Sequence, residues 1–442
     1  MKTITPILLA LATSVALPAG AADLLEIYHA AQSQDPVIAA AEATLMASEE
    51  KLPQGRSLLL PNLTLNANST YNDSSMGYQS TQSAFPSGSY KYNSHGYSVS
   101  LVQPLFRQQN WLAYTEAELQ VAQAEVQFMN AQQDLIMRVA QAYFDVLIAQ
   151  DTVDLAGAQK TAIAEQLEQA RRNFEVGTAT ITDTYEALAR FDLTNSQEIT
   201  ALSNLEIKKR ALQQIINEVP GALQHPGKDI KLEPLQPDDV EKWVAEAQQK
   251  SLQLAIAKLG AQLAEKEVLR NRSGHYPTVD LVASYNRNAA NGGSYGVASN
   301  TLAKAIGVQM SVPLYQGGML SSRTREAQAN HDRSRDELES VRRNVDLQTR
   351  QAYLGVVSSL AQVNALQQAL KSSESLLDAS KLGQEVGVRT NLDVLNAQQQ
   401  LYATRRDLYQ YEYNFLLSQL RLKAAVGTLG EEDVAQVSKA LH

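Results

Sequence analysis

The chain has 442 residues, a formal charge of −9 and no cysteine. The missing cysteine excludes a disulfide scaffold, a thiolate metal site, a cysteine nucleophile and a lipid-modified N-terminal cysteine, and the acidic balance offers no field for nucleic acid. Past the N-terminus no run approaches ~20 uninterrupted apolar residues, which excludes a polytopic helical membrane protein.

Residues 1–22 read as a signal peptide. Lys2 supplies the positive start, 7–12 and 15–17 form a short apolar core, and Gly20-Ala21-Ala22 offers small residues for cleavage before Asp23. The expected destination is the envelope of a bacterium with a periplasm.

The first half, 23–218, begins its strand signals near Pro61. Leu63, Leu65, Ala67 and Tyr71 alternate with Thr64, Asn66, Asn68 and Thr70; Tyr97, Val99, Leu101 and Leu105 alternate with Ser98, Ser100 and Gln103. Period two with one apolar face predicts half-buried strands over about 62–72 and 92–105, close to the length of a membrane β-strand. No proline then occurs before Pro220, and proline is expelled from helix interiors because it lacks a donor and clashes with the preceding turn. Met129, Ile136 and Tyr143 stand at heptad spacing, with Val139, Val146 and Val153 beside them. A helical hairpin over 108–218 follows, with its tip at 176–183 where Gly177 breaks the pattern.

Pro220, Pro226, Pro234 and Pro237 mark 219–237 as a linker. The second half, 238–428, repeats the order: strands over about 278–286 and 304–314, then a hairpin over 317–427 with its tip at 386–393. Gly317-Gly318 lets the chain turn from strand into helix. Val394, Leu401, Leu408, Phe415 and Leu422 form one heptad seam, and Leu338, Val345, Ala352, Ser359 and Leu366 another. Residues 429–442 are left as a C-terminal tail. Leu60-Pro61-Asn62-Leu63-Thr64-Leu65 matches Tyr276-Pro277-Thr278-Val279-Asp280-Leu281, and Gln141-Ala142-Tyr143 matches Gln351-Ala352-Tyr353, so the chain reads as two copies of one unit. That unit, roughly 200 residues, is far longer than a solenoid repeat.

Four strands cannot close a barrel, which needs about eight or more, and an open edge in lipid strands backbone donors and acceptors. Subunits must therefore pool strands, and three copies give twelve. The expected fold is a membrane α+β protein: a trimeric twelve-stranded β-barrel continued by a long α-helical coiled-coil barrel. A different class remains open on periodicity alone, a periplasmic coiled-coil scaffold or adhesin without a pore.

Several segments carry a resemblance. Phe174-Glu175-Val176-Gly177-Thr178-Ala179-Thr180-Ile181-Thr182-Asp183, Val386-Gly387-Val388-Arg389-Thr390-Asn391-Leu392-Asp393-Val394-Leu395 and Val312-Pro313-Leu314-Tyr315-Gln316-Gly317-Gly318-Met319 resemble the two tips and the last strand exit of the TolC family of outer-membrane efflux channels. The resemblance covers nearly all of 23–442. It implies a homotrimer set in outer-membrane lipid, working with a periplasmic adaptor and an inner-membrane transporter to export small toxic molecules or proteins. It also implies a gate at the periplasmic end. Asp183 and Arg389 resemble the family's charged latch, with Thr182 beside them. Gln384 stands where the family often has a tyrosine, keeping a polar group without the ring. Asp393 resembles an entrance acid facing the lumen, and Asn396 replaces a second acid, so one ring of charge is lost. Val176-Gly177 and Val386-Gly387 are the expected adaptor-docking tips.

Enzyme signatures are missing. The histidines form no H-x-x-H or H-E-x-x-H, and there is no G-x-x-x-x-G-K-[ST] or G-x-S-x-G. No catalytic residue, cofactor or metal is expected.

Overall fold

The computed structural model describes residues 21–77, 88–225, 232, 234–293 and 297–441. Most of the expected signal peptide, 1–20, lies outside the described residues, as do parts of the linker and of the loops between strands. In chain order the elements are α1 (Leu24–Gln34), α2 (Pro36–Glu49), α3 (Lys51–Ser57), β1 (Asn62–Met76), β2 (Gly88–Phe106), α4 (Gln108–Glu175) and α5 (Ile181–Ile216). Then follow α6 (Val240–Lys250), α7 (Leu252–Arg272), β3 (Thr278–Ala290), β4 (Ser299–Ser311), α8 (Met319–Glu385), α9 (Asn391–Val426) and α10 (Glu431–Ala440). The chain divides into two units, one of 1–39, 131–249 and 346–442, the other of 40–130 and 250–345.

The second of these units holds a 4-stranded antiparallel sheet in the order β1-β2-β3-β4. Leu63, Leu101, Ala283 and Ile306 stand in one cross-strand row, and Leu65, Val99, Tyr285 and Lys304 in another. Because side chains alternate along a strand, these rows share one apolar face, and Thr64, Ser98, Ser100 and Ser284 point to the other. The apolar face is uncovered within the chain: Leu63, Leu65, Ile306 and Val308 are all exposed.

Three expected strands are extended by the structure and the fourth is shifted. The ladder runs on to Met76, back to Gly88 and on to Ala290, where the apolar alternation has already stopped. Backbone pairing does not need apolar side chains, so periodicity alone underestimates these ends. The last strand spans 299–311 rather than 304–314. Pro313 has no N–H to give to the ladder, so pairing ends before it. Arg107, the first residue after β2, donates Nε and Nη2 to the two carboxylate oxygens of Asp280 at 2.7 and 2.6 Å, tying the end of β2 to the start of β3 beside a bulge at Pro104/Phe106. On the way into α8, Gly317 and Gly318 both take positive φ, 61° and 84°, which glycine adopts without strain.

The other unit is helical. Val394, Leu401, Leu408, Phe415 and Leu422 are all buried along α9. On the part of α8 in this unit the buried stripe is Thr349, Val356, Ser359, Val363, Ser373, Leu377 and Ser380, so the heptad row of Ala352, Ser359 and Leu366 catches only part of the seam. Serines on this stripe let helix axes approach closely. Tyr143, Phe144 and Tyr413 form a buried aromatic group, with Phe144 and Tyr413 ring centroids 5.6 Å apart. Tyr143 donates to the Gln224 carbonyl at 3.1 Å, and Ala22 and Leu223 form an isolated parallel bridge.

Two stretches that periodicity left without elements are helical: α1–α3 precede β1, and α6–α7 precede β3. The expected tail is corrected as well. Within 429–442 lies α10, which packs against α1 and buries Val434 and Val437. Its Asp433 accepts from the Gly430 N–H and pairs with Lys423. A helix this short survives through docking rather than propensity, which is why sequence periodicity passes over it.

Candidate functional site

The two hairpin tips fall in the same helical unit and are built alike. Gly177 (φ 78°) and Gly387 (φ 77°) each occupy the left-handed region just past the long arm. At the first tip the Asn173 carbonyl accepts from Thr178 N at 2.8 Å and Ala179 N at 3.2 Å. At the second the Gly383 carbonyl accepts from Val388 N at 2.9 Å and Arg389 N at 3.0 Å. Thr180 and Thr390 then cap the return helices α5 and α9. Each threonine forms a capping box with the acid three residues on, satisfying helix-end donors reciprocally. Asp183 accepts from the Thr180 N–H and hydroxyl at 2.8 Å each, and Asp393 accepts from those of Thr390 at 2.8 Å each.

The two expected gate charges thus find local partners. Asp183 is held by Thr180. Arg389 lies 3.6 Å from Asp393, one turn away on its own tip. Hydrogen bonds from Thr390 hold the Asp393 carboxyl below the usual carboxylate range, and Arg389 adds to this. Gly383 seats the arginine: a Cβ there would come within 2.6 Å of Arg389 Cγ, so only glycine lets the stem lie against the helix. Thr182 is exposed on the first turn of α5. Gln384 donates to Asn391 at 3.3 Å, linking the arms of its own hairpin. Val176 and Val386 are 72% and 66% exposed, an apolar rim that a structural turn does not need.

Asn396 is not isolated. Its side-chain oxygen accepts from Arg190 Nη2 at 3.0 Å, and Arg190 Nη1 donates to Gln399 at 2.6 Å. Arg190 therefore bridges α5 to α9. Leu395, next to it, is buried against Ile163, Leu167, Ala170 and Ala187 of the first hairpin, while Val394 and Ala397 pack with Leu377 of α8. A cavity of about 240 Å³ opens beside the bridge, lined in part by Arg190, Arg406, Gln159 and Gln399. Sequence reading missed Arg190, Asn391 and Gly383. For Gly383 the signal was a second glycine one turn before Gly387, where the first tip has Asn173.

Among the described residues one group could hold a metal ion: Asp151, Asp154 and His225, whose ligand atoms lie within 4.8 Å of one another. His225 Nδ1 is 3.4 Å from Asp151, whose other oxygen accepts from the buried Tyr413 hydroxyl at 2.7 Å. Burial pushes the Asp151 carboxyl up and the tyrosine bond opposes this.

One unit holds an open sheet with an uncovered apolar face, and the other holds helical hairpins with capped tips. Among the described residues no helix is long and apolar enough to cross a membrane. The chain belongs to the outer membrane efflux protein family, whose model matches residues 27–218 and 243–428. It is 34% identical to the outer membrane protein TolC of Escherichia coli, over 100% of this chain and 90% of that one. It is 32% identical to the alkaline protease secretion protein AprF of Pseudomonas aeruginosa, over 94% of this chain and 86% of the relative. The fold matches the crystal structure of VceC from Vibrio cholerae with a TM-score of 0.76 at 20% identity, covering 91% of this chain and 96% of that one. It matches the CmeC outer membrane channel of Campylobacter jejuni with a TM-score of 0.79 at 15% identity, covering 95% and 90%. The protein is an outer-membrane efflux and secretion channel, and the pore-free scaffold is set aside.

Proposed function

We propose that three copies of this chain form the outer-membrane duct of a tripartite export system. The carrying observation is the sheet itself. Its four strands are antiparallel and in simple order, so β1 and β4 are unpaired edges. In hydrocarbon such edges must be paired, and joining β4 of one protomer to β1 of the next closes a twelve-stranded barrel. The apolar face then meets lipid and the polar face lines the pore. The two halves act as copies of one unit, each giving one strand pair and one hairpin.

In this reading α4, α5, α8 and α9 continue the barrel as a periplasmic helical tunnel. At 1.5 Å per residue the 68-residue α4 alone spans ~100 Å. The exposed valines at Val176 and Val386 dock an adaptor, and an inner-membrane transporter delivers cargo through it. Similarity to a protease secretion protein supports proteins as cargo, alongside small toxic molecules. Asp183 and Arg389, with Thr182 and Gln384, form a latch between neighbouring hairpins that competes with the local Arg389–Asp393 pair. A single exposed ion pair is worth only ~0–1 kcal/mol, so a threefold set holds the tip shut yet yields to a partner. Asp393 serves as the entrance cation site.

The test is assembly. Purified protein kept unheated should run and weigh as a trimer, fractionate with outer membranes and conduct in planar bilayers. A monomer in the periplasmic fraction would refute the duct.

A further inference from the structure

Two cations stand on the apolar face of the sheet. Arg287 is the cross-strand partner of Tyr97, and Lys304 that of Tyr285. Lys304 Nζ lies 5.5 Å from the Tyr285 ring centroid, and Tyr285 stacks on Tyr97 at 6.1 Å. On β3, Arg287 continues the row of Leu281, Ala283 and Tyr285; on β4, Lys304 precedes Ile306 and Val308 in step of two. The two cations are diagonal neighbours, at roughly 7–8 Å between Cα atoms. Both are exposed, and among the described residues neither has a carboxylate partner. This differs from the other cations of the sheet region: Lys91 pairs with Asp73 and Arg107 with Asp280.

An unpaired charge on a lipid-facing strand is destabilising at mid-depth and tolerated near the interface. Here Arg287 lies near the end of β3 and Lys304 near the middle of β4, in the last two rows of the apolar face before Ser69, His95 and Asn300 take it over toward the end where β3 joins β4. Tyrosine rings with one polar end suit the same depth. With the helices periplasmic, this end is the outer leaflet.

We propose that Arg287, Lys304, Tyr97 and Tyr285 bind the phosphorylated headgroup of an outer-leaflet glycolipid of the lipid A type. The proposal rests on the reading that the apolar face is turned to lipid. Arg287 offers a planar fork and Lys304 a compact charge, a pairing suited to a phosphate monoester. The acyl chains of the same molecule lie along Leu65, Val99, Ala283 and Ile306. Inorganic phosphate would gain the charge contacts but not the apolar ones.

The experiment uses delipidated trimer in detergent and native mass spectrometry, titrated with bisphosphorylated lipid A, phosphate-free lipid A or inorganic phosphate. The wild type should bind the bisphosphorylated lipid at least about tenfold more tightly than the other two. The Arg287→Gln, Lys304→Gln double variant should lose that preference, while Lys304→Arg retains it. Equal binding of both lipids by the wild type, an equal response to inorganic phosphate, or a double variant that keeps the preference would overturn the proposal. Bilayer conductance of the double variant controls for folding. The chain has no cysteine, so Lys304→Cys tests the facing separately. A lipid-soluble maleimide should label it in bilayers. Labelling only by a water-soluble reagent admitted through the pore would instead overturn the outward face.

Discussion

Arg190 on α5 donates to Asn396 on α9 at 3.0 Å, so the position where the family resemblance implies a second entrance acid is tied to the other hairpin of the same chain. The same guanidinium holds Gln399 at 2.6 Å. A carboxylate introduced at 396 would meet this cation before it met an ion in the lumen. Asn396→Asp alone should therefore raise block by a trivalent cation only slightly in planar bilayers. In the Arg190→Gln background the same change should raise it severalfold. Equal effects in both backgrounds would show that 396 acts on the lumen independently of Arg190.

Asp393 ties acid to tip order. Its pKa is depressed by the Thr390 hydrogen bonds and Arg389. A carboxylate depressed in the folded state stabilises it above the unfolded pKa, ~3.9, and that contribution is lost as pH falls through the folded value. The start of α9 should stay protected at neutral pH and fray below about pH 4. Amide exchange over 390–396, corrected for intrinsic rates, reads this directly. Asp393→Asn should show at neutral pH the fraying that the wild type shows in acid, and pH-independent protection would remove the capping role.

Much of this site is legible in the chain, for local reasons. Threonine followed three residues later by aspartate, just after a valine-glycine break, is a capping signature at both Thr180 and Thr390, which the reading of Asp183 as a latch and Asp393 as an entrance acid passed over. Alternation at Leu63, Leu65 and Ala67 marks β1 because one face is apolar. The Arg190 bridge is not legible, because its partner lies 206 residues away and the contact depends on how α5 and α9 are rotated about their axes. Resemblance pairs Asp183 with Arg389; the single chain gives each a nearer partner, since sites one turn apart meet without assembly. α10 escapes because its ten residues are held by packing on α1 rather than by a long pattern.

The junction between sheet and helix depends on Arg107. Asp280 is nearly buried and accepts both bonds of that guanidinium. Arg107→Ala leaves the carboxylate unpaired, an effect of about 1–3 kcal/mol after allowing for the partly exposed arginine. The temperature at which the proposed trimer dissociates should fall measurably. Arg107→Lys, which keeps charge but loses the fork, should fall between. An unchanged temperature for Arg107→Ala would mean water replaces the pair at no loss.

The tips allow a separate test of docking. Gly387 has φ 77°, and nothing lies within 4 Å of where its Cβ would be. Strain there is confined to the turn, ~1–2 kcal/mol for a side chain. Gly387→Trp should abolish export in cells while trimer yield and barrel folding persist. Normal export would count against the tip as the adaptor's seat.

The central claim, a duct held shut by charges at its periplasmic end, is tested most directly by single-channel conductance of purified protein in planar bilayers. Wild type should show small, cation-preferring steps, in keeping with the formal charge of −9 per chain. Arg389→Ser and Asp183→Ala should each raise the step severalfold, and the double variant should add little, because both remove one interaction. Wild-type conductance in both single variants would contradict the account.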